Sequence, residues 1–358
     1  MKDGEMSVTL ADVAARAQVS PATVSRVLNG NYPVAGPTRE RVLRAVADLD
    51  YVLNGPASAL AAATSDLVGI LVADIADPFF GVIAAAVQSQ IGASGGRAGG
   101  ERLAVVCATG GAHERELTYL TLLQRQRAAA VVLTGSADEN PEHTEAVAAK
   151  VRRLEESGTR VVLCGRPPLT GTESTALPFD NRAGARLLAE HLLALGHRRI
   201  GYLAGPEGRT TTRHRLEGHR EALAAYGLPD PEPLSVHAPY ERGAGYTATR
   251  ELLAREPDLT AVAAANDSLA LGACAALRDA GLAVPGDVSV TGFDDLPFSA
   301  DAVPSLTTIH LPLTEAGARA GRIALGMEAR PGEVLPVEGT LTVRDSTGPV
   351  RERAAARG

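Results

Sequence analysis

From Leu67 onward, for some 280 residues, short apolar runs alternate with amphipathic helical stretches, and this rhythm leaves few architectures open. Runs at 68–73, 103–108, 130–133, 160–164, 200–203, 260–264 and 288–291 read as strands, with helices such as 114–125, 183–195, 215–226 and 268–280 between them. Strand-helix alternation requires crossover connections, hence parallel sheets with helices packed on their faces. That much chain exceeds what one sheet usually holds, so two lobes are expected. Ligands of such sheets lie beyond the C-terminal strand ends, which here means the cleft between the lobes. Aromatic residues make up only 3% of the chain and Trp is absent, so the core must come from Ala, Val and Leu.

No uninterrupted apolar stretch reaches the roughly 18 residues of a membrane span. Residues 1–6 lack the apolar run of a signal peptide, which predicts a cytoplasmic protein. Cys107, Cys164 and Cys274 share neither metal-ligand nor redox spacing and are expected to be free thiols; the histidines form no ligand set, so neither metal nor cofactor is expected. The glycine-rich stretch 92–100 lacks the GxxxxGK[ST] pattern and stands between a helix and the following strand, the wrong way round for a phosphate loop; it reads as a surface loop.

The first fifty residues follow another pattern. Thr9 with Asp12 forms a capping-box variant, and Leu10, Val13, Ala14 and Ala17 then share a helical face. Ser20 is an N-cap with Pro21 in the first turn, and Val19 with Val24 can form a hydrophobic staple. The second helix turns Val24, Val27 and Leu28 inward and leaves Pro21, Ala22, Ser25, Arg26 and Asn29 outward. About two residues separate these helices, the spacing of a helix-turn-helix. A third helix is expected to open at Thr38 and bury Val42, Leu43, Val46 and Leu49. A small, polar outward face with one Arg suits close approach to a DNA major groove. Bulk electrostatics lend no help: the chain carries a net charge of −7, and residues 7–53 hold five Arg against four acids. Any DNA contact must therefore be local and directed.

The string Thr9-Leu10-Ala11-Asp12-Val13-Ala14, then Ala17 and Val19 to Asn29, closely resembles the DNA-binding signature of the lactose/galactose repressor (LacI/GalR) family. The resemblance implies that Pro21, Ala22 and Arg26 read bases. It also implies that Ser20, Thr23, Ser25 and Asn29 hold or approach the backbone, with Thr9 among the DNA-contacting positions. Residues 51–64, by composition a linker with Pro56 opening a short Ala-rich helix, resemble the family's hinge helix. Asn54, Ala57 and Leu60 then stand at DNA-contacting positions, Leu60 as an apolar wedge in the minor groove. Leu53 departs from the family's usual Pro, and Ser58 from its common Arg.

Downstream landmarks also resemble the family's sensor, itself similar to periplasmic sugar-binding proteins. They are Asp77-Pro78-Phe79-Phe80, Asp180 to Gly184, His191-Leu192, Leu195 to Arg198, Arg215 to Gly218, Ala265-Asn266-Asp267 and Gly292 to Asp295. With the reader included, the likeness covers roughly residues 8–345. It implies a pocket walled by Phe79 and Phe80, anchored by Arg215, stacked by Tyr240 and hydrogen-bonded by Asn266 and Asp294. Arg166 also stands just after a strand, and Arg209 and Thr211 are further candidates in a variable loop. Gly165 stands where sugar-responsive members often have an acid. Asp294 and Asp295 are adjacent and so expected to point apart; with no nucleophile, base or metal set nearby, an enzyme is not expected.

The expected organisation is an all-α helix-turn-helix reader at 1–51, a hinge at 52–66, an α/β two-lobed sensor at 67–346 and a short tail at 347–358. Lobe 1 is expected at 67–166 and 303–330, and lobe 2 at 167–302 and 331–346. The implied protein is a homodimeric repressor on near-palindromic operator DNA, controlled by a small ligand of sugar type, with no membrane partner. The tail has no heptads, which predicts a dimer without tail-mediated tetramers.

Overall fold

Three helices, α1 (Leu10–Ala17), α2 (Pro21–Asn29) and α3 (Gly36–Asp48), form the N-terminal unit of the computed structural model, which describes residues 8–29, 33–51, 65–94, 102–230 and 232–350. The capping box is present: Asp12 N–H donates to the Thr9 hydroxyl at 3.4 Å, and the Asp12 carboxylate accepts the Thr9 backbone N–H at 2.8 Å. The Thr9 hydroxyl donates to the same carboxylate at 2.6 Å, and these contacts hold the Asp12 carboxyl below its ordinary range. Gln18 ends α1 in the left-handed region (φ 54°), so three residues, 18–20, make the turn. Ser20 caps α2 by accepting the Thr23 N–H at 3.1 Å. Val13, Ala14, Ala17, Val24, Val27, Val42 and Ala45 close one core, with Val19 and Leu28 packed against it.

The third helix departs from expectation. It opens at Gly36, with Pro37 in a first turn whose N–H groups need no helical partner. Leu43 is 44% exposed, and Ala45 is buried in its stead. The inward face runs Val42, Ala45, Val46, Leu49 at helical spacing, and Leu43 falls one residue out of phase.

Lobe 1 is a five-stranded parallel sheet in the order β2 (Leu103–Ala108), β1 (Leu67–Val72), β3 (Ala130–Thr134), β4 (Arg160–Cys164), β5 (Thr175–Leu177). Helices α4 (Pro78–Ala93) and α12 (Leu313–Ala324) cover one face, through Ile83, Val87, Ile91, Ala320 and Ile323. Helices α5 (His113–Arg125) and α6 (Pro141–Glu156) cover the other, through Leu120, Leu123, Val147, Val151 and Leu154. Lobe 2 repeats the plan with order β7 (Ser235–His237), β6 (Ile200–Ala204), β8 (Ala261–Ala264), β9 (Ser289–Thr291). Its helices are α7 (Asn181–Ala194), α8 (Thr210–Ala225), α9 (Arg242–Arg255) and α10 (Asp267–Asp279), followed by the short α11 (Phe298–Asp301). In both sheets the first strand of the lobe sits inside its second, so strand order reverses beside it. That reversal point is where such sheets leave a ligand crevice.

The lobes are joined by an antiparallel pair, β10 (Thr308–His310) with β11 (Thr340–Thr342). Bridges Thr291↔Thr307 and Asp294↔His310 tie β10 to lobe 2. Two expected boundaries move. The first sheet runs past 166 to include β5, and Val334 and Val337 bridge to Ala176 and Phe179 rather than joining lobe 2. β5, β7, β10 and β11 have three residues each, too few for any periodicity to show in the sequence. The glycine-rich segment 95–101 lies outside the described residues. Among the described residues no helix is long and apolar enough to cross a membrane, and no His, Cys, Asp or Glu group is placed to hold a metal ion. The three cysteines are free; burial pushes the Cys164 thiol up to about 12.

Lobe 2 contains a buried histidine with a measurable consequence. His219 is 1% exposed, stacks on Tyr202 with ring centroids 4.6 Å apart, and has a buried Nε2 without a hydrogen-bond partner. Burial lowers its pKa to about 4. The unfolded chain therefore binds a proton that the fold refuses, so this stability is present above about 6.5 and is lost as pH falls toward 4. The carboxyls of Asp267 and Asp294 are raised and act in the opposite direction, so a difference measurement is needed. His219→Phe should gain about 2 kcal/mol on wild type between pH 6.5 and 5. Denaturant unfolding of both proteins at the two pH values checks this; parallel stabilities would refute it.

Candidate functional site

The loops that follow the strands of both lobes meet around one cavity of about 490 Å³. Lobe 1 contributes the turns after β1, β2, β3 and β4, and lobe 2 those after β6, β7, β8 and β9. Phe79, Phe80, Arg166, Arg215, Tyr240, Asn266 and Asp294, all expected from sequence, line it, as do Arg209 and Thr211. The fold brings these side chains, far apart in sequence, onto one surface.

Arg215, on α8, is the best-held side chain of the group. Its Nε donates to Asn181 Oδ1 at 2.8 Å, one terminal nitrogen donates to the Ala265 carbonyl, and the other meets Asp294 Oδ1 at 2.7 Å. The guanidinium also lies 3.7 Å from the centre of the Phe293 ring. The Arg215 and Asp294 side chains are 3% and 5% exposed, so the pair is buried and its geometry fixed. Burial pushes the Asp294 carboxyl up to about 7, against the pull of Arg215. Asp294 has φ 102° and Asp295 φ 55°, both in the left-handed region, a strain that surrounding bonds must hold. The two do point apart. Asp294 faces the cavity, while Asp295 pairs with His310 at 2.9 Å and Arg344 at 2.7 Å beside the connecting strands.

Asn266 fills both roles open to it. Its Oδ1 caps α10 by accepting the Leu269 N–H at 2.9 Å, and its side chain borders the cavity. Tyr240 donates to or accepts from Thr212 Oγ1 at 3.0 Å, and it fits because residue 205 is glycine: a Cβ there would lie 2.2 Å from the Tyr240 ring. Phe79 and Phe80 stand edge to face at 5.0 Å, and Phe79 meets Phe179 the same way at 6.1 Å, building an apolar wall.

Sequence reasoning missed the lobe 1 network. Arg166 Nε donates to the Thr134 carbonyl at 3.1 Å, and its terminal nitrogen lies 2.6 Å from Glu116 Oε1. Glu116 also meets His143 at 2.9 Å, and His143 stacks on His113 at 4.1 Å. Burial raises the Glu116 carboxyl, but Arg166 and His143 outweigh it and hold the group below its ordinary value. Gly165 has a physical reason: φ is +83°, and a Cβ would come within 2.9 Å of the Phe179 ring. The lobe 1 carboxylate paired with Arg166 comes instead from Glu116, buried in the first turn of α5, where only its helical phase could have marked it.

The loops at 136–139 and 208–213 fasten the lobes across the cavity mouth. Thr210 N–H donates to the Ala137 carbonyl at 3.0 Å, Glu139 N–H to Gly208 at 2.9 Å, and Thr211 N–H to Ser136 Oγ at 3.2 Å. Arg209 donates to the Gly111 carbonyl at 3.0 Å, and Arg213 pairs with Glu139. This explains why α8 begins five residues before the expected Arg215: lobe 1 satisfies the first-turn N–H groups that three threonines and Arg209 leave uncapped.

In the N-terminal unit, Pro21, Ala22 and Arg26 lie on the exposed side of α2, with Thr23 and Ser25 half-buried beside them and Ser20 exposed at its start. The side chain of Asn29, and Asn54, Ala57 and Leu60 with the whole hinge 52–64, lie outside the described residues.

Comparison with known proteins places both units. Residues 9–54 match the model for bacterial regulatory proteins of the lacI family, and residues 189–347 match a periplasmic binding protein-like domain. The chain is 35% identical over 322 residues to the transcriptional regulator GalR of Escherichia coli K12, covering 89% of each. A crystal structure of the lac repressor dimer bound to operator and an anti-inducer superposes with a TM-score of 0.76 at 30% identity, covering 96% of this chain and 100% of that one. A complex of the transcriptional regulator CelR with cellobiose gives 0.65 at 33% identity, covering 95% and 99%. This chain belongs to the lacI family of bacterial regulatory proteins and is a DNA-binding transcriptional regulator, not an enzyme.

Proposed function

We propose that the protein is a cytoplasmic, homodimeric repressor whose grip on a near-palindromic operator is set by a carbohydrate held between its lobes. The observation that carries this is the convergence of guanidinium, carboxylate, amide and aromatic groups on one interlobe cavity, in a chain that also bears a DNA reader. A sugar hydroxyl both donates and accepts, and this mixture of partners suits it. The relatives support the reading: one is known in complex with cellobiose, and another as a dimer bound to operator.

Each dimer presents two recognition helices, one per half-site. Phe79, Phe80, Arg166, Arg215, Tyr240, Asn266 and Asp294 hold the effector, the loops at 136–139 and 208–213 fasten the closed cleft over it, and the rearranged connecting strands alter the hinge at Asn54, Ala57 and Leu60. DNA and effector then change each other's affinity by the same factor. A gel shift on the DNA upstream of the protein's own gene, with candidate sugars added, tests this; no operator preference, or no sugar effect on it, would sink the reading. Within it, Arg26→Ala should reduce discrimination between operator and random DNA by about 1–3 kcal/mol. Equal loss on both would remove Arg26 from base reading.

A further inference from the structure

The interlobe cavity contains two separate polar seats, each built on a buried guanidinium–carboxylate pair. Arg215–Asp294 stands on the lobe 2 side, with side chains 3% and 5% exposed. Arg166–Glu116 stands on the lobe 1 side, at 14% and 12%. Both pairs line the same cavity, and the Phe79 and Phe80 rings also border it. Such a pair offers a ligand donors and acceptors at zero net charge, which suits hydroxyls and gives no advantage to an anion.

Size and charge narrow the occupant. At ~30 Å³ per water, a pyranose ring with its hydroxyls fills about six water-volumes, ~180 Å³, and two linked rings about twice that. The cavity measures about 490 Å³, so a single ring would leave more than half of it to solvent. Phosphate recognition needs guanidinium or helix N-terminal donors in excess. Here carboxylates outnumber guanidiniums in the lining: Asp74, Asp77, Glu116, Glu241 and Asp294 against Arg166, Arg209 and Arg215. Each of the three guanidiniums stands beside a carboxylate that offsets its charge. Most helix starts that face the cavity are capped or carry an acid of their own. Asp77 caps α4 and Asn266 caps α10, the first turn of α8 donates to Ala137 and Ser136, and the uncapped starts of α5 and α9 carry Glu116 and Glu241, whose charge disfavours an anion there.

Resting on the carbohydrate reading above, we infer that the effector is an uncharged disaccharide, one ring seated on Arg215–Asp294 and the other on Arg166–Glu116. Glu116 is thereby a specificity residue, since it alone supplies the carboxylate of the second seat.

Isothermal titration of the full-length protein with cellobiose, maltose and lactose, with glucose and galactose, and with glucose 6-phosphate tests the inference without any mutation. At least one disaccharide should bind tenfold or more tighter than every hexose, and glucose 6-phosphate should bind no tighter than glucose. A hexose or the phosphate binding as tightly as the best disaccharide overturns the inference and leaves a sugar-controlled regulator in place. No binding by any of the six overturns the carbohydrate reading with it. In Glu116→Gln, the ratio of disaccharide to hexose affinity should fall about tenfold, and an unchanged ratio removes the second seat from Glu116.

Discussion

Arg215→Ala should abolish the effector response and destabilise the protein by about 3–5 kcal/mol, the usual cost of removing one member of a buried ion pair. The cost arises from what the arginine leaves behind. The Asp294 carboxylate loses its counter-charge in a place where its side chain is 5% exposed, and Asn181 Oδ1 and the Ala265 carbonyl lose their donor. The Phe293 ring also loses the guanidinium 3.7 Å from its centre. The reader is a separate unit with its own core, so operator binding should persist at temperatures where the variant stays folded. Denaturant unfolding gives the stability, and gel shifts with and without effector give the response. A variant that still releases or recruits DNA on adding effector would take Arg215 out of the pocket's function; one as stable as wild type would show that Asp294 finds another partner.

Asp267→Ala carries a comparable cost, about 3–5 kcal/mol, for a different reason. Asp267 is fully buried at the start of α10, and its carboxylate accepts three donors: Leu296 N–H and Ser299 Oγ at 2.8 Å each, and Thr308 Oγ1 at 2.7 Å. Each buried donor left without a partner costs about 1–3 kcal/mol, and the hydroxyls recover part of that by turning. The carboxylate fits so closely that a Cβ on Gly292 would fall 2.1 Å from Oδ1. Thr308 lies on β10, so this residue fastens lobe 2 to the connecting strands. Asp267→Asn retains one acceptor oxygen and should lose less than Asp267→Ala. Calorimetric melting of both variants decides the matter, and equal losses would mean that packing volume rather than the three hydrogen bonds sets the cost.

Long elements were legible in the sequence, and of the three-residue strands only β9 was. β1, β2, β3 and β4 read directly because a buried parallel strand is an unbroken apolar run. β5 and β7 have three residues each with polar side chains among them, where no apolar run can declare itself, and missing β5 displaced the lobe boundary. The start of α8 was misplaced because its first turn is satisfied from the other lobe, information that no local signal carries. The pocket was legible through family likeness rather than periodicity: Arg215 looks like any helix-surface arginine until Asn181, Ala265 and Asp294 gather around it. Glu116 went unseen because it lies on a helix in an ordinary Glu-rich turn, and only the tertiary contact with Arg166 distinguishes it. Leu43 shows the limit of pattern reading at fine scale, since one residue of helical phase turned it from core to surface.

Asp294 and Asp295 carry a consequence for how such a sensor can diversify. One carboxylate meets the cavity's central arginine and its immediate neighbour grips His310 and Arg344 at the crossover, so a single peptide unit joins the cavity to the strands that connect the lobes. Asn266 and Asp267 repeat the arrangement, one bordering the cavity and the other bonded to Thr308 on β10, while Phe79, Phe80 and Tyr240 stand apart from both links. Those aromatic walls can be refaced for a new occupant without disturbing either link, so what the cavity accepts and how it is tied to the crossover are set by different residues.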